Sequence, residues 1–166
     1  SFDEMQNIRV YQDVSPSVVY ITTTAAVPSA SAYMEVLPSQ GTGSGFVISR
    51  DGYVLTNAHV VEGATNVIVG LSDQKQFNGK LVGLDKEDDL AVIKINVDKN
   101  TPLKPVKLGT SEDLKVGQKV IAIGNPFGYE RAMTTGVVSG LNRPVKTEAG
   151  RIIMNAIQTD ASINPG

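Results

Sequence analysis

Residues 45–61, GFVISRDGYVLTNAHVV, decide the fold. Gly45–Ile48 and Tyr53–Thr56 are short runs rich in β-branched and aromatic residues, Asp51-Gly52 between them is a turn signal, and a histidine follows the second run. A two-stranded hairpin is not stable alone, so neighbours are required. The same texture extends both ways. Val18–Thr23 lies upstream, and Val67–Gly70, Leu81–Leu84 and Leu90–Ile95 lie downstream, with Asn78-Gly79 as a further turn signal. Many short strands with regular turns predict an antiparallel barrel or sandwich. The long helical patterns that a parallel sheet needs are missing.

Residues 2–12 space Phe2, Met5 and Ile8 three apart, which predicts one short amphipathic helix broken by Ser15-Pro16-Ser17. Thr24–Gln40, rich in Ala, Ser and Pro, reads as a mobile loop. Asp98–Thr110 carries two prolines and reads as a connection between two barrels. Beyond it Val120–Ile123, Thr134–Leu141 and Ile152–Gln158 supply three more strands, too few to close a barrel. The expected organisation is an all-β fold. It comprises an N-terminal helical segment over 1–14, a first barrel over 15–110, and the start of a truncated second barrel over 111–166.

Fifteen bases against seventeen acids leave a net charge of −2, which provides no electrostatic footprint for nucleic acid and no basic face for a membrane surface. No apolar run reaches the ~20 residues of a membrane span. With no cysteine, disulfides, thiolate metal sites and cysteine nucleophiles are all excluded. The chain opens at Ser1 without a basic-then-apolar leader, so any targeting segment is expected to have been removed.

His59 is the single histidine. At the end of a strand it can project into a cleft and act as a general base near neutral pH. Asp89 opens the apolar run DLAVIKI; at period two it shares a face with Ala91, Ile93 and Ile95. A carboxylate leaning toward buried surface needs a partner, and the imidazole N–H of His59 would be one. Asp85, Glu87 and Asp88 read as solvated acids, although spacing alone does not choose between Asp88 and Asp89.

Six motifs occur in order: GTGSGF from Gly41, TNAHVV from Thr56, DLAV from Asp89, IGNPFG from Ile123, TTGVVSG from Thr134 and QTDASINPG from Gln158. Together they resemble the protease domain of the HtrA/Deg family of chymotrypsin-like serine proteases, from about Ser15 to the last residue. The resemblance implies a double β-barrel with the first barrel present in full. It makes His59 the general base and Asp89 the acid that fixes the histidine tautomer and stabilises the imidazolium. Gly166 matches the glycine whose backbone N–H helps form the oxyanion hole, a donor worth about 3–4 kcal/mol of transition-state stabilisation. The family's Asn-Pro-Gly continues with Asn-Ser-Gly-Gly-Pro, so the nucleophilic serine is expected just beyond Gly166. Residues 1–166 alone are then expected to lack hydrolysis by the triad route, and no PDZ domain is expected within them.

The same resemblance implies that the floor of the specificity pocket lies near Ser162, where the absence of an acid points to small or aliphatic side chains rather than basic ones. Ser44, within Gly43-Ser44-Gly45, imitates a hydrolase elbow, but that elbow needs a strand-to-helix turn, and Ser44 precedes a strand. The glycines around it fit tight packing in a barrel. By the same resemblance, Thr24–Gln40 is a loop that can reach a neighbouring subunit and Arg143–Arg151 is a regulatory loop. The helix with Phe2 and Tyr11 falls where the family makes trimer contacts, although core packing accounts for those aromatics equally well.

The resemblance thus implies an endopeptidase of protein quality control and the stress response, acting on damaged or unfolded proteins. It would be a homotrimer or higher oligomer in the bacterial periplasm or the chloroplast thylakoid lumen, without nucleic-acid partner, metal, nucleotide or other cofactor. The alternatives are a non-catalytic, chaperone-like homologue that holds polypeptides without cutting them, an inert fragment, and a purely structural β-domain. The last leaves the joint presence of the His59, Asp89 and Gly166 motifs unexplained.

Overall fold

The computed structural model describes residues 1–27, 37–128 and 130–165. The chain starts with helix α1 (Phe2–Val14), closed at its N-terminus by a capping box in which Ser1 and Glu4 satisfy each other's backbone N–H. The helix buries none of its residues, and Phe2 is 78% exposed, so core packing does not account for Phe2. Tyr11 is tied down instead: its hydroxyl donates to the Arg131 carbonyl at 2.9 Å. The Arg131 guanidinium in turn donates to the Val18 carbonyl through Nε and a terminal nitrogen at 3.2 and 2.6 Å, and burial pushes its pKa down. Ser15–Ser17 form a single 3₁₀ turn before the first strand.

Six strands then close into a barrel: β1 (Val18–Val27), β2 (Leu37–Val47), β3 (Tyr53–Thr56), β4 (Asn66–Gly70), β5 (Gln76–Asp85) and β6 (Leu90–Ile95). Their order is β1-β2-β3-β6-β5-β4, with β1 pairing β4 antiparallel to shut the ring. Period-two alternation supplies the core. Val19 and Ile21 from β1, Val54 from β3, Val69 from β4, and Ala91, Ile93 and Ile95 from β6 point inward and are buried. Burying the valines and isoleucines among them is worth about 1.5–3 kcal/mol each relative to exposure.

Several expectations are corrected. Thr24–Gln40 is not all loop: Thr24 pairs Gln40 and the ladder continues to Val27 opposite Leu37, because Ala, Ser and Pro at a strand end still offer a pleated backbone. The remainder of that expected loop, 28–36, lies outside the described residues. Asn78-Gly79 is not a turn. Gly79 pairs Val67 on one side and Ile95 on the other, and a side chain there would meet Ile93 Cγ2 at 2.5 Å. The turn falls earlier, where Gln74 takes φ +68° and Asp73 accepts from the Lys75 N–H. Asp51-Gly52 is a turn as expected, with Gly52 at φ +100°.

Past Ile95 no strand or helix forms until β7 (Lys119–Gly124), which pairs β8 (Ala132–Lys146), which pairs β9 (Ile152–Thr159). These make a three-stranded antiparallel sheet. Arg143–Arg151 is likewise shorter as a loop than expected: the strand runs through Lys146, and only the turn at 147–151 remains. No helix among the described residues is long and apolar enough to cross a membrane.

Candidate active site

A four-residue helix, α2 (Ala58–Val61), follows β3 and carries His59. It sits tightly because β2 offers it glycines. A Cβ on Gly43 would lie 2.6 Å from Val60 Cγ2, so only glycine lets α2 lie this close to the barrel wall. Ala58 and Val61 are buried on the inner side of the turn, leaving His59 outward with its side chain 69% exposed.

Asp89 comes to His59 from the turn between β5 and β6. That turn is organised by Asp85, whose Oδ1 accepts from the Glu87 and Asp88 N–H groups at 3.0 and 3.1 Å. Asp85, Glu87 and Asp88 stay exposed. Asp89 is the residue delivered, yet not for the period-two reason. It is the last turn residue rather than a strand residue, with φ +56° in the left-handed region that costs a non-glycine residue on the order of 1 kcal/mol. Its carboxylate is engaged twice: Oδ1 accepts from the His59 backbone N–H at 2.8 Å and Oδ2 lies 2.7 Å from His59 Nδ1. A carboxylate only accepts, so Nδ1 carries the hydrogen and Nε2 is the basic nitrogen. Asn57, two residues before the histidine, adds a third link by donating from Nδ2 to the Asp89 carbonyl at 2.9 Å.

His59 lines a cleft of about 610 Å³ between the barrel and the three-stranded sheet, with Gly43 and Val60 on one side and Gly124, Thr134 and residues 162–165 on the other. The two sides are pinned where Ser44 Oγ accepts from the Asn125 N–H at 2.8 Å. Asn125 is buried, and its Oδ1 accepts from the Gly128 N–H. Ser44 thus lies inside β2 as a structural hydroxyl rather than on a strand-to-helix elbow. The far wall is anchored in turn: Asp160 Oδ1 accepts from the Val137 N–H at 2.7 Å, and Thr134 Oγ1 donates to the Ser162 carbonyl at 2.8 Å. Gly136 is required beneath this segment, since a Cβ there would meet the Ala161 nitrogen at 2.4 Å.

Of the residues singled out from sequence, His59 and Asp89 are brought together, Ser162 lies exposed on the cleft wall, and Gly166 falls outside the described residues. Sequence reasoning gave no separate role to Asn57, Asp160 or Thr134. Only Asn57 left a signal, an N-cap-forming residue just before a histidine.

The trypsin-like peptidase domain family matches residues 43–166. The chain is 49% identical over 165 residues to "Protease Do-like 1, chloroplastic" of Arabidopsis thaliana, covering 99% of this chain and 37% of that protein. It is 47% identical over 139 residues to "Probable periplasmic serine endoprotease DegP-like" of Halomonas elongata, covering 84% of this chain and 28% of that protein. The chain therefore spans less than two fifths of the length of either relative. Among solved structures, "Crystal structure of Deg5" superposes with a TM-score of 0.79 at 44% identity, covering 100% of this chain and 78% of that one.

Proposed function

The chain belongs to the trypsin-like peptidase family, in its HtrA/Deg branch, and from that premise we propose that it carries the base half of a serine endopeptidase acting on damaged or unfolded proteins. One observation carries the reading: the 2.7 Å contact between His59 Nδ1 and Asp89 Oδ2 at the edge of a cleft. A serine hydroxyl is a poor nucleophile until a base removes its proton. With Nδ1 held by Asp89, Nε2 of His59 takes that proton as the hydroxyl attacks the peptide carbonyl, and then returns it to the leaving amine. Asp89 stabilises the imidazolium between the two transfers.

The serine follows Gly166 in this reading, and the Gly166 N–H donates to the oxyanion. An unfolded substrate enters extended and pairs as a strand along an exposed edge, with Ser162 at the pocket that accepts its small or aliphatic side chain. The assembly is a homotrimer or larger. The compartment is the thylakoid lumen or the periplasm, in keeping with relatives named chloroplastic and periplasmic.

The test uses the full-length protein with a fluorophosphonate probe and unfolded casein. One probe adduct by intact mass, with casein cleavage, is expected. His59→Ala should lower turnover about a million-fold while leaving the far-ultraviolet spectrum and melting temperature intact. Casein binding without cleavage or adduct would instead favour a polypeptide-holding homologue. Collapse of the fold in His59→Ala would favour a structural role for the histidine.

A further inference from the structure

We propose that Asn57 is a positioning residue for the His59–Asp89 pair: its side-chain amide grips the Asp89 carbonyl and so holds the left-handed turn that aims the carboxylate at the imidazole. The inference rests on the reading of His59 and Asp89 as base and orienting acid, and it adds a residue that this pair requires.

Asn57 occupies the N-cap of α2, where an asparagine ordinarily turns its side-chain oxygen back to an N–H of its own helix. Here it makes no such bond. The side chain reaches across 32 positions of sequence, and Nδ2 donates to Asp89 O at 2.9 Å. A favourable local cap has thus been given up for a contact with one residue. That residue is the one whose backbone needs holding, since Asp89 sits at φ +56°. Aspartate tolerates this region better than most residues, yet relaxation to the ordinary region of φ remains available to it. Such a relaxation would rotate the carboxylate away from both the backbone N–H and the Nδ1 of His59. Glycine at 89 would adopt the turn freely but would supply no carboxylate.

The three bonds between residues 57–59 and 89 therefore divide the labour. Two run from His59 to the carboxylate and define the pair; the third, from Asn57, fixes the peptide that carries it. The Asn57 bond is exposed to solvent, so water can satisfy the Asp89 carbonyl when the amide is lost. Its removal is then expected to alter the aim of the carboxylate much more than the stability of the barrel.

Residues 1–166 hold one histidine, and the Nδ1–H resonance of a ¹⁵N-histidine-labelled sample that vanishes in His59→Ala reports this hydrogen bond. The wild type should show that proton far downfield, and Asp89→Asn should abolish the downfield position. Asn57→Ala is expected to move it upfield or broaden it by exchange, with little change in melting temperature. Asn57→Asp keeps the shape but replaces the donor by an acceptor, and it should do the same. In the full-length protein, Asn57→Ala should lower kcat by about tenfold to a hundredfold, with KM held within about twofold. An unmoved resonance in either folded variant overturns the proposal. A displaced resonance in Asn57→Ala, alongside a full-length wild type that cleaves no unfolded protein, would sink the protease reading and leave the positioning role of Asn57 standing.

Discussion

The six strands around Ile93 and the three around Val138 are both antiparallel, but they bury very different amounts of themselves. In the first set each strand has two neighbours and the inward side chains form one cluster, with Val19, Ile21, Val54, Val69, Ile93 and Ile95 all at or near zero exposure. In the second, Val138 is the buried apolar side chain of the three strands among the described residues, with Ala161 buried just past β9, while Ile152 and Met154 are 61% and 62% exposed. A closed ring has no unpaired edge and one dry interior; an open sheet of three strands has two edges and one layer. His59 and Asp89 sit on the closed unit, and the far wall of the cleft comes from the open one. The pair's geometry is thus set by the better-packed part of the molecule, and the opposite wall of the cleft belongs to the part with less packing behind it.

The largest effect should come from testing that contrast directly. Ile93→Ala opens a cavity in the barrel at a fully buried position and is expected to cost about 2–5 kcal/mol in urea unfolding. Ile157→Ala on β9, at 45% exposure, should cost less than about 1 kcal/mol. Equal losses at the two sites would break the comparison, because both sheets would then belong to one equally packed core.

A second experiment sharpens it where the barrel meets the site. Gly43→Ala places a methyl 2.6 Å from Val60 Cγ2 and pushes α2 off the wall. The expected cost is about 1–3 kcal/mol, together with loss of the downfield His59 signal. Adding Val60→Ala removes the clash and should restore much of both. Failure of that rescue would mean that the close approach of α2 to β2 is not what seats the histidine.

Much of the first barrel was legible from sequence because its strands obey a period of two and its core residues are β-branched. Tyr53–Thr56 and Leu90–Ile95 were bounded correctly on that basis. What was not legible depended on pairing. The ends of β1 and β2 are strand because each lies opposite the other, which composition does not reveal. Gly79 is a glycine of close packing, and its Asn-Gly dipeptide is spelled like a turn. At the site, the motifs named His59 and Asp89, while the means of bringing them together was hidden. Helix α2 is a single turn, too short for a helical period to show, and the positive φ of Asp89 follows from the hairpin turn that Asp85 organises rather than from the period of the strand after it.

The smallest effect tests how far the two regions talk to each other. Glu62, directly after α2, takes Lys86 Nζ at 3.0 Å from the β5–β6 turn and an Arg151 guanidinium nitrogen at 3.4 Å from the β8–β9 turn. The hydrogen bond from Lys86, and then that from Arg151, hold its pKa below the ordinary glutamate value of 4.5, with burial working the other way. A carboxylate with a folded-state pKa below its unfolded one contributes stability that is present above the unfolded value and lost as pH falls through the folded one. Acidification below about pH 4.5 should therefore release Arg151, seen as faster amide exchange at residues 147–151, while Glu62→Gln should show the fast exchange already at neutral pH with no further step. Because the pair is solvent-accessible, raised salt should weaken it, and Glu62→Gln should move the melting temperature by no more than about 2 °C. The His59 signal should stay put. Its displacement in Glu62→Gln would show that the β8–β9 turn acts on the imidazole through α2, and the division between a self-sufficient barrel and a looser cleft wall would have to be given up.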